Sequence, residues 1–221
     1  MIADGYRGIA ADPPWPQKGA GRPLGRASGS YRSWATRVAG PRTRAMPYQL
    51  MTVDEIAAMP VDRLAHQDGA HLYLWTTNQF LADAFRVVRA WGFTYSTTLV
   101  WAKAPMGGGT GGAYGISTEY IVYARRGKVP AQSRITGTWF RWKRPYDERG
   151  KPQHSAKPGE FYDMVETVSP GPRLELFARR DRPGWDVWGN QAPGAVRLEA
   201  LDVVSVATGS KPSGGETPHA P

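Results

Sequence analysis

Residues 9–17 read IAADPPWPQ. Ile9, Ala10 and Ala11 are the end of a short apolar run of the kind that forms a buried strand, and the run stops on a carboxylate, Asp12. Pro13 and Pro14 then fix φ at two consecutive residues and bring no amide donor. One proline suffices for a turn. Two of them hold the Asp12 carboxylate and the Pro13 carbonyl in a constant relation. A pair of acceptors so placed suits a planar amine, either on a nucleobase or on a side-chain amide. Its lone pair is delocalised, and accepting from both N–H groups favours charge on the nitrogen. Trp15 offers a ring face for a base, a contact worth about 1–3 kcal/mol in single-strand binders. The competing reading is an aspartate cap, prolines that end a strand, and a core tryptophan.

Working outward, residues 6–11 are expected to form the first strand. Further strands are expected over 70–75, 94–102, 119–124 and 173–178, where apolar, β-branched and aromatic residues concentrate. Helices are expected between them. Thr52-Val53-Asp54-Glu55 is a capping box opening a helix to about Leu64. Asn78 caps a second, with Leu81, Ala84, Phe85, Val88 and Trp91 at helical spacing and Gly92 at its end. Lys157-Pro158 opens a third through Val168. Alternation of this kind predicts an α/β domain, a mostly parallel sheet with helices on both faces. Ligands of such sheets gather beyond the carboxyl ends of the strands. Asp12, Thr76 to Asn78, Lys103 and Arg179 all fall there. The domain is expected to span residues 1–194, and residues 195–221, ending PSGGETPHAP, to be a disordered tail. Residues 16–47 and 105–115 read as long loops, and no internal repeat is visible.

The formal charge of +9 is unevenly placed. Residues 16–44 carry seven Lys/Arg and no acid; residues 125–151 carry nine against Asp147 and Glu148. These two segments hold a net +14, so the remainder is net −5, the distribution a polyanion-binding surface requires. There is no cysteine, which excludes a disulfide framework and a thiolate nucleophile or metal site. The four histidines have no ligand spacing, and no metal is expected. No apolar run approaches the roughly 20 residues of a membrane span, and the N-terminus lacks a signal peptide's pattern. A cytoplasmic protein without membrane association is expected.

Beyond DPPW, the chain carries an ordered series of blocks: Met51 to Glu55, Leu74-Trp75-Thr76-Thr77-Asn78, Trp91-Gly92-Phe93, Trp101-Ala102-Lys103, His154-Ser155-Ala156-Lys157-Pro158, Leu174 to Arg179 and Gly184 to Asn190. The series, over about residues 6 to 192, closely resembles the MT-A70 family of adenine N6-methyltransferases. The resemblance implies a Rossmann-like class I methyltransferase fold using S-adenosyl-L-methionine. The usual glycine-rich cofactor loop has no match here, and the family also lacks it.

Carried over by position, the resemblance makes Asp12, Pro13, Pro14 and Trp15 the catalytic clamp, with Asp12 also facing the cofactor ammonium. It sets Lys157 near the cofactor carboxylate, Arg179 near the ribose, Glu175 at the end of the same short strand, Asn190 and Gln191 at the adenosine end, and the backbone of Ala10 and Ala11 beside the adenine. Asn78, Lys103, Arg134, Arg141, Trp142, Lys143 and Arg144 are the candidate nucleic-acid contacts, because aromatic side chains interleaved with positive charge suit an unpaired or flipped base. The same aromatics fit a homodimer contact equally well. The expected activity is N6-adenine methylation of nucleic acid, DNA before RNA. Its rivals are a catalytically silent nucleic-acid-binding subunit and a protein glutamine-amide methyltransferase, the latter leaving the basic segments unexplained.

Overall fold

In the computed structural model, residues 4–16, 50–103, 114–146, 148–150 and 156–197 are described. Seven strands form one sheet: β1 Gly8–Ala11, β2 Gly69–Thr76, β3 Thr94–Ala102, β4 Thr118–Gly127, β5 Trp139–Phe140, β6 Arg173–Leu176 and β7 Asp186–Trp188, in the order β5-β3-β4-β2-β1-β6-β7. The ladders β1–β2, β1–β6, β6–β7 and β3–β5 are parallel, and β4 is antiparallel to both neighbours. Six strands therefore point one way and β4 alone points back. The carboxyl ends of β1, β2, β3 and β6 form one rim, together with the amino end of β4.

Strand alternation sorts the residues between two faces. Ile9, Ala11, Leu72, Leu74, Val122 and Leu174 face one core, with Trp15, Ile56, Phe80 and Val87. Helices α1 (Val53–Ala57) and α2 (Leu81–Ala90) cover it. Ala10, Tyr73, Trp75, Trp101 and Ile121 face the other, where α3 (Gly159–Val168) lays down Phe161, Tyr162 and Val165. The helices-on-both-faces layout expected from the sequence is the one observed.

Several local expectations change. The Thr52 capping box forms, with Glu55 N–H donating to Thr52 Oγ1 at 3.2 Å and Thr52 N–H to Glu55 Oε2 at 2.6 Å. The helix it opens stops at Ala57 instead of Leu64. Pro60 lacks the N–H that would continue it, and a 3₁₀ turn over Val61–Arg63 follows. Asn78 is not a helix cap. It opens a 3₁₀ turn, and its amide accepts from Tyr120 Oη at 3.0 Å and donates to Thr118 Oγ1 at 3.3 Å. Strands β5 and β7 are two and three residues long, too short for a periodic signal. His154, most of the two expected loops and nearly all of the expected tail lie outside the described residues.

At the end of the sheet away from the rim, His71, 1% exposed, sits in a closed polar chain. Its Nε2 lies 3.1 Å from the Val129 carbonyl and its Nδ1 2.8 Å from Ser169 Oγ, which is 2.8 Å from Tyr73 Oη. A carbonyl only accepts, so Nε2 carries the proton, Nδ1 accepts from Ser169, and Ser169 accepts from Tyr73. Burial holds the His71 pKa below its usual value. The folded chain therefore binds fewer protons here than the unfolded chain, and stability is lost as pH falls below about 6.5. Urea unfolding of wild type and His71→Gln between pH 8 and 5 is expected to show the steeper acid decline in wild type. Equal declines would remove His71 as the cause.

Candidate active site

The site is built on the rim from one face of the sheet. Asp12 continues the parity of Ala10, Lys103 that of Trp101, and Glu119 that of Ile121; all point to the side covered by α3. Lys157, just before α3, reaches back among them. Its ammonium lies 3.0 Å from Asp12 Oδ2 and 3.2 Å from Glu119 Oε2, and 4.6 Å from the centre of the Trp75 ring. Lys103 pairs with the other Glu119 oxygen and sits 5.0 Å from the Trp101 ring centre. The result is a line of alternating charge: Asp12, Lys157, Glu119, Lys103.

Burial and pairing compete along that line. Burial pushes the Asp12 carboxyl up; Glu119 adds to this, and Lys157 only partly opposes it. Burial works against the Lys157 charge, but Asp12 and Glu119 outweigh it and raise its pKa. Glu119 is likewise desolvated, yet Lys157 and Lys103 hold its pKa below the usual value. Asp12 is thus the least comfortable charge of the group.

The turn that aims Asp12 is locked on several sides. Trp15 N–H donates to the Pro13 carbonyl at 2.8 Å, a three-residue turn about Pro14, and the Pro14 carbonyl accepts from Met51 N–H at 3.0 Å. A carbonyl has two lone pairs, so Pro13 keeps one for a second donor. Trp15 has a different part from the one expected. It is 8% exposed, its Nε1 donates to the Trp75 carbonyl at 2.9 Å, and its ring lies against Phe80 at 5.5 Å and 12°. A ring so covered has no open face for a base. Trp15 pins the clamp to the body, the core reading of this residue.

Other residues fall around the same rim. Glu175, in register with Ala10 on β6, points to the α3 face and accepts from Tyr162 Oη at 2.6 Å; burial raises its pKa. The Arg182 guanidinium lies 3.6 Å from the centre of the Tyr162 ring. Phe177, just past β6, has φ of 64°, a left-handed conformation unusual for a side chain of this size. That bend precedes the half-buried Arg179. Asn190 and Gln191 are exposed just past β7. Ala10 and Ala11 are 2% and 1% exposed and laddered on both sides, so their backbone is paired within the sheet and forms the floor of the site.

Among the basic candidates, Arg134, Arg141 and Lys143 are exposed and Arg144 is half-buried. Trp142 belongs to the body: its ring stacks on Phe140 at 4.4 Å and 11°, and its carbonyl accepts from Trp101 Nε1 at 3.0 Å. The exposed aromatics of this segment are Tyr146 and Trp139, the latter 55% exposed with the Arg141 guanidinium 4.9 Å from its ring centre. Glu119 and Tyr162 are residues of the site that the sequence alone did not single out.

Among the described residues no helix is long and apolar enough to cross a membrane, and no group of three or more His, Asp or Glu side chains is placed to hold a metal ion. The chain is 29% identical over 191 residues to the type II methyltransferase M.MunI of Mycoplasma sp, covering 85% of this chain and 78% of that protein. It is 27% identical over 183 residues to the human N(6)-adenosine-methyltransferase catalytic subunit METTL3, and 26% identical over 181 residues to the Drosophila melanogaster N(6)-adenosine-methyltransferase MT-A70-like protein. In each case 72% of this chain is covered, but only 28% and 26% of those longer relatives. The MT-A70 family profile matches residues 6–191, from the start of the sheet to the amides past β7. A chain matched over that span, with DPPW at the rim of the sheet, belongs to the MT-A70 family.

Proposed function

We propose that the protein is an S-adenosylmethionine-dependent methyltransferase acting on the N6 amine of adenine in nucleic acid, DNA in preference to RNA. The observation that carries this reading is the locked turn at the end of β1. It presents a carboxylate and a carbonyl together, with Lys157 holding Asp12 Oδ2 and leaving Oδ1 to accept. Adenine N6 carries two N–H donors, one for Oδ1 and one for the Pro13 carbonyl. Accepting both raises electron density on the nitrogen, and holding it in line supplies part of the barrier through proximity. The amine sheds a proton as it is methylated, and a carboxylate with a raised pKa is a better acceptor for it than an exposed one.

The rim residues also fit the cofactor by their chemistry. It supplies an electrophilic methyl group. Asp12 and Glu175 offer carboxylates to its ammonium, Arg179 a guanidinium, and Asn190 and Gln191 amides to the adenosine end. Trp75 Nε1 and Thr76 Oγ1, buried at the end of β2, find no hydrogen-bond partner among the described residues, which suits a bound ligand. The expected contact of Lys157 with the cofactor carboxylate meets competition, because its ammonium already faces two carboxylates.

DNA is favoured because the relative matched over the larger share of its own length is not named for adenosine, the ribonucleoside. Purified protein with labelled cofactor is expected to methylate a DNA oligonucleotide, and nucleoside analysis to return N6-methyldeoxyadenosine. Label found only in RNA would reverse the polymer. Absence of cofactor binding in a calorimetric titration would make the chain a silent subunit.

A further inference from the structure

Resting on the reading of a nucleic-acid substrate, we propose a second contact for its phosphate backbone at the opposite end of the sheet from Asp12. There a cleft of about 570 Å³ opens between the turn after α2 and the end of β4, lined by Thr94, Tyr95, Arg125, Arg126, Lys128 and Val129. Three of these carry positive charge.

Four cations of the fold are held in ion pairs. Arg7 pairs with Asp68, Arg86 with Asp54, Lys103 with Glu119, and Lys157 with Asp12 and Glu119. Among the described residues, no carboxylate pairs with Arg125, Arg126 or Lys128. Arg126 is braced by the Asp62 backbone carbonyl at 2.6 Å, which fixes its position without cancelling its charge. The Asp68 carboxylate is taken by Arg7, while its carbonyl accepts from Lys128 N–H at 2.8 Å. The backbone carrying these cations is tightly set. Gly127 has φ of 63°, and a Cβ there would meet the Asp68 carbonyl at 2.2 Å. Tyr95 adds a 47% exposed ring, backed edge-on by Phe85 at 5.1 Å. Arg126 and Tyr95 leave the sheet on its α2 side and Arg125 on its α3 side. The end of β4 thus sets uncancelled charge on both flanks of the cleft, with an aromatic beside Arg126, which matches a nucleic-acid backbone.

The chain ties this cleft to the rim. β4 runs from Thr118 at the rim to Gly127 at the cleft, ten residues and about 30 Å. The segment after it returns, through exposed Arg134, to pair beside Val100 and Trp101 at β5. Basic residues thus stand at both ends of the β5-β3-β4 side of the sheet. At about 3.4 Å per base pair, 30 Å is about nine pairs. A duplex reaching only about five pairs on each side of its target adenine cannot touch both ends; one of about 30 pairs can.

The test is the Arg125→Ser/Lys128→Ser variant, which spares the braced Arg126 and every residue at the rim. Binding to a hairpin of about 10 pairs and a duplex of about 30 pairs, each with a central target adenine, is measured across roughly 50–200 mM salt, in DNA and in RNA. For the long duplex of the preferred polymer, the slope of log K against log salt is expected to fall by about two, near 0.9 for each phosphate no longer neutralised. For the hairpin the slope is expected not to change. An unchanged slope on the long duplex, an equal loss on both lengths, or no binding by wild type would overturn the proposal. Because binding is read without turnover, a length-dependent loss with no methylation would leave this second site standing and sink the catalytic reading instead.

Discussion

Asp12→Asn is expected to lower methyl transfer by about 10²–10³-fold, the usual cost of removing one preorganised hydrogen-bonding group from a reacting centre. The substitution keeps shape and changes charge. Lys157 donates to Asp12 Oδ2 at 3.0 Å, so the asparagine carbonyl oxygen settles there and the NH₂ takes the place of Oδ1. A donor then faces the N–H of the incoming amine, where an acceptor stood. Stability is expected to change little, because the buried carboxylate's desolvation is lost together with its ion pair. Labelled methyl transfer beside a thermal melt separates the two effects. Transfer within about threefold of wild type, far short of the loss an oxyanion-type group commands, would show that Asp12 is not the acceptor. In wild type, activity is expected to fall with acid at a higher pH than the titration of an unburied aspartate would give, since burial raises the Asp12 pKa.

The rim was largely legible from the chain. Apolar runs that end on Asp12, Thr76 and Lys103 mark strand ends, and alternation with helices orients those strands alike. Glu119 was not legible, because strand direction has no local signature. Were β4 parallel, Glu119 would begin its strand at the far end of the sheet; an antiparallel β4 brings it to Lys157. Trp15 failed for a related reason. An aromatic after two prolines reads equally well as platform or anchor, and only the place of Phe80, packed from a distant segment, decides. Trp142 is drawn into the body likewise, because a ring that packs on it, Phe161, comes from α3. Residues whose task is set within one strand could be read; those set by a neighbour from elsewhere could not.

Lys157→Met is expected to destabilise the fold by about 3 kcal/mol at pH 7, near the lower end of the cost of breaking a buried ion pair. The side chains of Lys157, Asp12 and Glu119 are only 10%, 23% and 18% exposed, so water replaces little of the lost charge. The two carboxylates do not suffer equally. Glu119 keeps Lys103, whereas Asp12 loses the ammonium that is hydrogen-bonded to it. Asp12 then takes up a proton more readily in the folded chain than in the unfolded one, where its pKa is near 3.9. Over the interval between those two values the folded state binds more protons, so the variant's stability relative to wild type rises as pH falls. Denaturant midpoints of the two proteins, compared at pH 7 and pH 5, are expected to converge on acidification. Adding Asp12→Asn to Lys157→Met should restore more stability at pH 7 than adding Glu119→Gln, because it removes the carboxylate that was left alone. A Lys157→Met deficit that is flat with pH and equally relieved by both second substitutions would mean that packing over Trp75, not charge, is what Lys157 provides.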